Sequence, residues 1–210
     1  MSTKTLGWIL TIFPIVGLLS WLLSGLPTDP AGELEGGYSA YAALLKDINA
    51  DRIHVFMGLA SITFGVITIS LVGLRMIVGE KSKSSIAFLS GGLLIVGFAG
   101  TIAENGAFSA ATSLAQEGLF AESVSMLTIA TTAGGYATSI MSLGILFLGI
   151  SLYQTNTVHI ISSVAFMITG LIGIIGGILF YDSGPITAFY ASFTITTVAI
   201  GIELIRTGAD

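Results

Sequence analysis

Six stretches of this chain are apolar for about as long as a membrane is thick: Leu6–Leu26, Ile53–Val78, Ile86–Ala103, Val124–Tyr153, Val158–Tyr181 and Ile186–Ile205. Crossing about 30 Å of hydrocarbon takes roughly 20 helical residues. Closed β-barrels are the only other spanning solution, and they need alternating segments rather than unbroken runs such as TGLIGIIGGILFY. The expected fold is all-α: one polytopic transmembrane helix bundle over residues 1–210, with outer connections at 27–52 and 104–123. Composition agrees, since only 9% of the residues are charged, against about 25% in a soluble domain. The net charge of −5 excludes a basic nucleic-acid-binding face, and the absence of cysteine excludes disulfides and thiolate metal sites.

The first run resembles a signal peptide in having Lys4 before an apolar core, but no small-x-small cleavage site closes it. It reads as a retained helix, kinked at Pro14. Lys and Arg set the orientation. With the N-terminus inside, the inner side carries Lys4, Arg75, Lys81, Lys83 and Arg206, and the outer side carries Lys46 and Arg52. Both termini are therefore expected in the cytoplasm. Most acids then lie outside, among them Asp29, Glu33, Glu104 and Asp182. Such a face either attracts cations or a basic partner or is acidic only because basic residues are kept inside.

The outer connections carry helical patterns. Tyr38, Tyr41, Leu45 and Ile48 recur at helical spacing in YSAYAALLKDIN, predicting a short interfacial helix with tyrosines at headgroup level. AFSAATSLAQEGLF reads as a second one, stopped by Gly118.

Chemistry is sparse. Glu104 closes the third run, 18 residues after Ile86, or about 27 Å along a helix. That places it near the outer boundary of the hydrocarbon, as an interfacial residue rather than a proton relay, with Arg52, His54, Asn105 and Asp182 at the same level as a candidate outer vestibule. Arg75 and Glu203 meet at the inner level as a candidate ion pair. No ionisable residue is expected at mid-depth, where pumps and ion-coupled carriers keep theirs. His54 opens its span from the outer side and His159 from the inner side, about 30 Å apart in depth, too far to share a haem or a metal. There is no P-loop, dinucleotide fingerprint, HExxH or GxSxG. No catalytic, metal or cofactor site is read.

Glycine and hydroxyl residues are abundant. The GxxxG of Gly173 and Gly177 predicts close helix packing. TIATTAGGYATSIMS offers Thr131, Thr132, Tyr136 and Thr138 either as packing groups or as the polar lining of a pore. Aligning His54 with His159 pairs Ala60 with Ala165, Gly65 with Gly170 and Leu74 with Leu179, a faint echo compatible with an inverted repeat.

This layout, with its long outer loop, DRIHVFMGLASITFGVITISLVGL, a short basic inner loop and three further spans, resembles a family of uncharacterised six-helix prokaryotic membrane proteins. The resemblance implies the architecture and transfers no functional residue. Two functions remain open: a non-catalytic accessory or scaffold subunit, held to a membrane partner or to its own copies through glycine-rich faces, and a channel or carrier for a small neutral solute. A membrane-embedded enzyme stands third.

Overall fold

The computed structural model describes residues 2–27, 29–82 and 85–208, without the side chains of residues 80–82. Lys83 and the side chain of Lys81, read above as inner-side charges, lie outside this set. Among the described residues there are seven α-helices: α1 Thr3–Leu23, α2 Gly37–Leu45, α3 Ala50–Ser82, α4 Ser85–Gln116, α5 Phe120–Thr155, α6 Ile160–Leu179 and α7 Ile186–Thr207. All but α2 are long and apolar enough to cross a membrane. A 3₁₀ turn, Ala31–Glu33, precedes α2.

Local chemistry sets the helix ends. The Ser2 hydroxyl accepts from Thr5 N at 3.1 Å and starts α1, which then runs unbroken through Pro14. Asn156, at φ 48°, ends α5 in the left-handed conformation, its N–H donating to the Tyr153 carbonyl and the next N–H to Leu152. His159 caps α6, its Nδ1 accepting from Ile161 N at 3.3 Å. Gly118, at φ +79°, ends α4.

That last boundary corrects the reading of residues 104–123. AFSAATSLAQ is the continuation of α4 to Gln116, not a separate helix or loop. Its inner side supplies Ala111 and Ala115 to an apolar cluster with Tyr41, Ala42 and Leu45 of α2, Met57 of α3 and Leu127 of α5. The extension packs against α2.

The six long helices form a ring in the order α1, α3, α4, α5, α6, α7, closed by contact of α7 with α1. Glycines set the closest approaches. Any Cβ at Gly97 would overlap the Met141 backbone of α5. Gly135 and Gly177 face each other's carbonyls across α5 and α6, and Gly7 faces Gly201 across α1 and α7. With Gly208 against Lys4, both termini lie at one end of the ring, the terminal end. Leu10, Leu71, Leu94, Ile145, Phe166 and Leu204 fill that half of the ring. The opposite end carries α2 and the segment before it as a cap. Two apolar clusters fill the bundle, and residues of both line a cavity toward the cap.

Candidate functional site

Each helix around the cavity contributes one stripe at three- and four-residue spacing, the period that keeps side chains on one face. The stripes are Pro14, Gly17, Leu18 and Trp21 on α1; Met57, Ala60, Phe64 and Ile67 on α3; Thr101, Glu104, Asn105 and Phe108 on α4; and Ile186, Tyr190, Phe193 and Thr194 on α7. The floor is the core toward the termini, reached at Ile67 and Phe193. The roof is the cap, through Ala31, Tyr38 and Tyr41. The cavity volume is about 410 Å³, within the range of small-molecule sites.

The wall is mostly apolar and aromatic, and its polar groups converge on one carboxyl. Glu104 is 6% exposed, although its position along α4 predicts contact with water. The carboxyl lies against Gly134 of α5, where a Cβ would overlap both it and the Tyr181 ring. The Tyr181 hydroxyl donates to Oε1 at 2.5 Å. Tyr181 has no second hydrogen, so the Tyr190 hydroxyl, 3.0 Å away, donates to it. Thr138, 3.3 Å from Tyr190, then donates in turn. Thr138, Tyr190 and Tyr181 form a chain of hydroxyls oriented toward Glu104, each bond polarising the next.

A second group closes the cap side. The Tyr38 hydroxyl donates to Asp182 Oδ2 at 3.1 Å and lies 2.8 Å from Thr131 Oγ1. The Asp182 carbonyl accepts from Gly32 N at 3.0 Å, and Glu33 accepts from Gly184 N at 2.6 Å. These bonds hold the cap to the α6–α7 turn. Burial raises the Tyr38 hydroxyl above its usual range, and the Asp182 carboxylate raises it further, partly offset by the Thr131 hydrogen bond. Burial alone raises Tyr41.

Of the residues expected in an outer vestibule, Glu104, Asn105 and Asp182 line the cavity, with Asn105 Nδ2 donating to Ser61 Oγ at 2.8 Å. Arg52 and His54 do not. Arg52 Nε donates to the Leu23 carbonyl at 2.8 Å, tying the end of α1 to α3, and His54 Nε2 lies 3.4 Å from Ser113 Oγ on the outside of the bundle. The expected polar lining of α5 also divides. Thr131 and Thr138, seven residues apart, face inward, whereas Thr132 and Tyr136 are exposed, Tyr136 by 63%. They flank a separate crevice outside α5 and α6.

Arg75 and Glu203 are not paired. Arg75 Nε donates to the Ala87 carbonyl at 2.8 Å, and its guanidinium lies over the Phe88 ring at 4.9 Å. Glu203 instead accepts from His159 N at 2.5 Å and from the Ser162 hydroxyl, so its charge sits at the N-terminus of α6. Gly173 packs against Ser142 and Phe189, and Gly177 against Ser139 and Gly135, all within the chain.

Tyr181, Tyr190, Tyr38 and Gly134 were not singled out from the sequence as site residues. Tyr190 carries the clearest signal, a hydroxyl within an apolar run, since a buried tyrosine normally has a partner for that group. Among the described residues no three His, Asp or Glu side chains gather as metal ligands. Comparison of the chain with family models, with curated proteins and with solved structures finds no match.

Proposed function

We propose that this chain is a multi-pass protein of the cell membrane that carries a small, largely apolar solute, and that the capped cavity is its binding site. The excess of Lys and Arg near the terminal end supports placing both termini in the cytoplasm, with α2 as an interfacial helix over the outer mouth. The observation that carries the reading is the burial of Glu104 beside a cavity it shares with aromatic walls. A buried carboxyl without an opposite charge is costly, and a bundle that needed only to pack would have an aliphatic residue there. Gly173 and Gly177, a packing motif that also suited an accessory subunit, make their contacts inside the chain, which leaves that reading with less support.

The absence of cysteine permits a direct test. In sealed vesicles, Thr101→Cys places the chain's sole thiol on the cavity wall, where a membrane-impermeant maleimide can be applied from either side. A carrier exposes the cavity alternately, so labelling is expected from both faces. Labelling from one face only, or from neither, would refute transport.

A further inference from the structure

Resting on the reading of this cavity as a solute site, we infer that its ligand is an organic cation: an amine with an apolar body, its ammonium group set against Glu104. Three features of the wall point this way. First, Glu104, Asp182 and Asp29 all line the cavity, whereas no Lys, Arg or His does among the described residues. Second, Glu104 is more than nine-tenths buried, and Tyr181 engages only Oε1. Among the described residues nothing donates to Oε2, the oxygen left for a ligand N–H. Third, the rings of Trp21, Phe64, Tyr181, Tyr190 and Phe193 line the same space, and aromatic faces attract cations.

An anionic ligand would meet three carboxyls and no compensating charge. A neutral one would satisfy Oε2 with a hydroxyl but leave any charge on Glu104 unopposed. An ammonium group supplies both the hydrogen bond and the opposite charge, and charge-assisted hydrogen bonds are about twice as strong as neutral ones. The volume admits a body of roughly ten carbons, within the range in which such sites enclose small ligands. Asp182, committed to Tyr38, is less available than Glu104 and contributes through its field.

The test uses three probes with one body and different charges: 4-phenylbutylamine, 4-phenylbutan-1-ol and 4-phenylbutyrate. Each is titrated into the full-length protein in lipid nanodiscs, with saturable binding read by calorimetry. The amine is expected to bind about tenfold or more tighter than the alcohol, given the added charge-assisted bond, and the acid weakest. In Glu104→Gln the amine should lose that advantage while alcohol binding persists. Should Glu104→Gln fail to fold, the amine-to-alcohol ratio in the unaltered protein decides alone. An alcohol that binds as tightly as the amine would overturn the cation assignment and leave the cavity reading standing. Failure of all three to bind would overturn the cavity reading, and the assignment with it.

Discussion

Gly92 and Gly97 lie five residues apart on α4 and make opposite predictions. An added Cβ at Gly92 meets nothing within 4 Å. At Gly97 it would lie 2.6 Å from Met141 N and 2.7 Å from Met141 Cα. Ordinary carbon contacts are about 3.5–4.0 Å, so α4 and α5 must part by roughly 1 Å to admit it. The obstruction is backbone and cannot rotate away. A separation of that size forfeits about a quarter to a half of the dispersion energy of each contact it opens, and overpacking of this kind costs about 1–3 kcal/mol. Alanine also gains up to about 1 kcal/mol over glycine in helix propensity, but that gain is common to both sites and cancels in their difference. Gly97→Ala should therefore be less stable than Gly92→Ala by about 1–3 kcal/mol, toward the upper end because backbone is struck. For a chain of this size that is a gap of roughly 4–8 °C in thermal unfolding midpoint if the difference is about 2 kcal/mol. Purified variants unfolded by heat in one detergent would show it. Equal midpoints, or a higher one for Gly97→Ala, would refute the close α4–α5 contact and the ring built on it.

Further outcomes follow from the site residues. Glu203→Gln should lower stability by about 0.5–2 kcal/mol, because a carboxylate is lost from the N-terminus of α6; Arg75→Gln should add to that loss without coupling in a double-mutant cycle, since the two side chains do not meet. Tyr136→Phe should leave stability and amine binding unchanged, whereas Tyr190→Phe should cost about 1 kcal/mol by removing the donor to Tyr181, read by the same thermal assay.

The six long helices were legible because apolar length is a property of each segment alone. Glu104 shows where such reasoning stops. Its distance from Ile86 was correct, but the inference to water assumed that α4 ended there. Distant segments bury it: Gly134 on α5 and Tyr181, 77 positions along the chain. None is visible from the sequence around residue 104. The hydroxyls of α5 fail differently. Thr131 and Thr138 share one face, Thr132 and Tyr136 another, and both pairs fit the helical period equally well. Only the contacts of α5 with α4 and α6 decide which pair faces inward. Arg75 and Glu203 were rightly placed near one end, but depth alone does not choose partners. Arg75 is held by the Ala87 carbonyl at the start of α4, and Glu203 is occupied by the start of α6.

The cap roofs the cavity, and it is the element whose loosening can be measured apart from global unfolding. Beyond its apolar contacts, it is tied to α5 and the α6–α7 turn by the Tyr38 hydroxyl, by Gly32 N on the Asp182 carbonyl, and by Glu33 on Gly184 N. Tyr38→Phe removes the first tie while keeping the ring. A hydrogen bond of this kind contributes about 1 kcal/mol, so local opening of the cap should become about fivefold more frequent. Hydrogen exchange should report that as a matching loss of protection in the amides of α2, with those around Ile145 and Leu148 unchanged. The same hydroxyl makes the cap sensitive to alkali. Its pKa in the folded protein is raised from 10.0, so folding favours the protonated phenol. The stabilisation is complete below pH 10 and is lost as the pH rises through the raised value. Exchange from α2 should accelerate above pH 10 beyond the intrinsic rate, and less steeply in Tyr38→Phe, where Tyr41 alone remains. If α2 were equally protected in both proteins, or if protection fell throughout the bundle, the cap would not be a separate opening unit, and a solute would have to reach Glu104 between the helices.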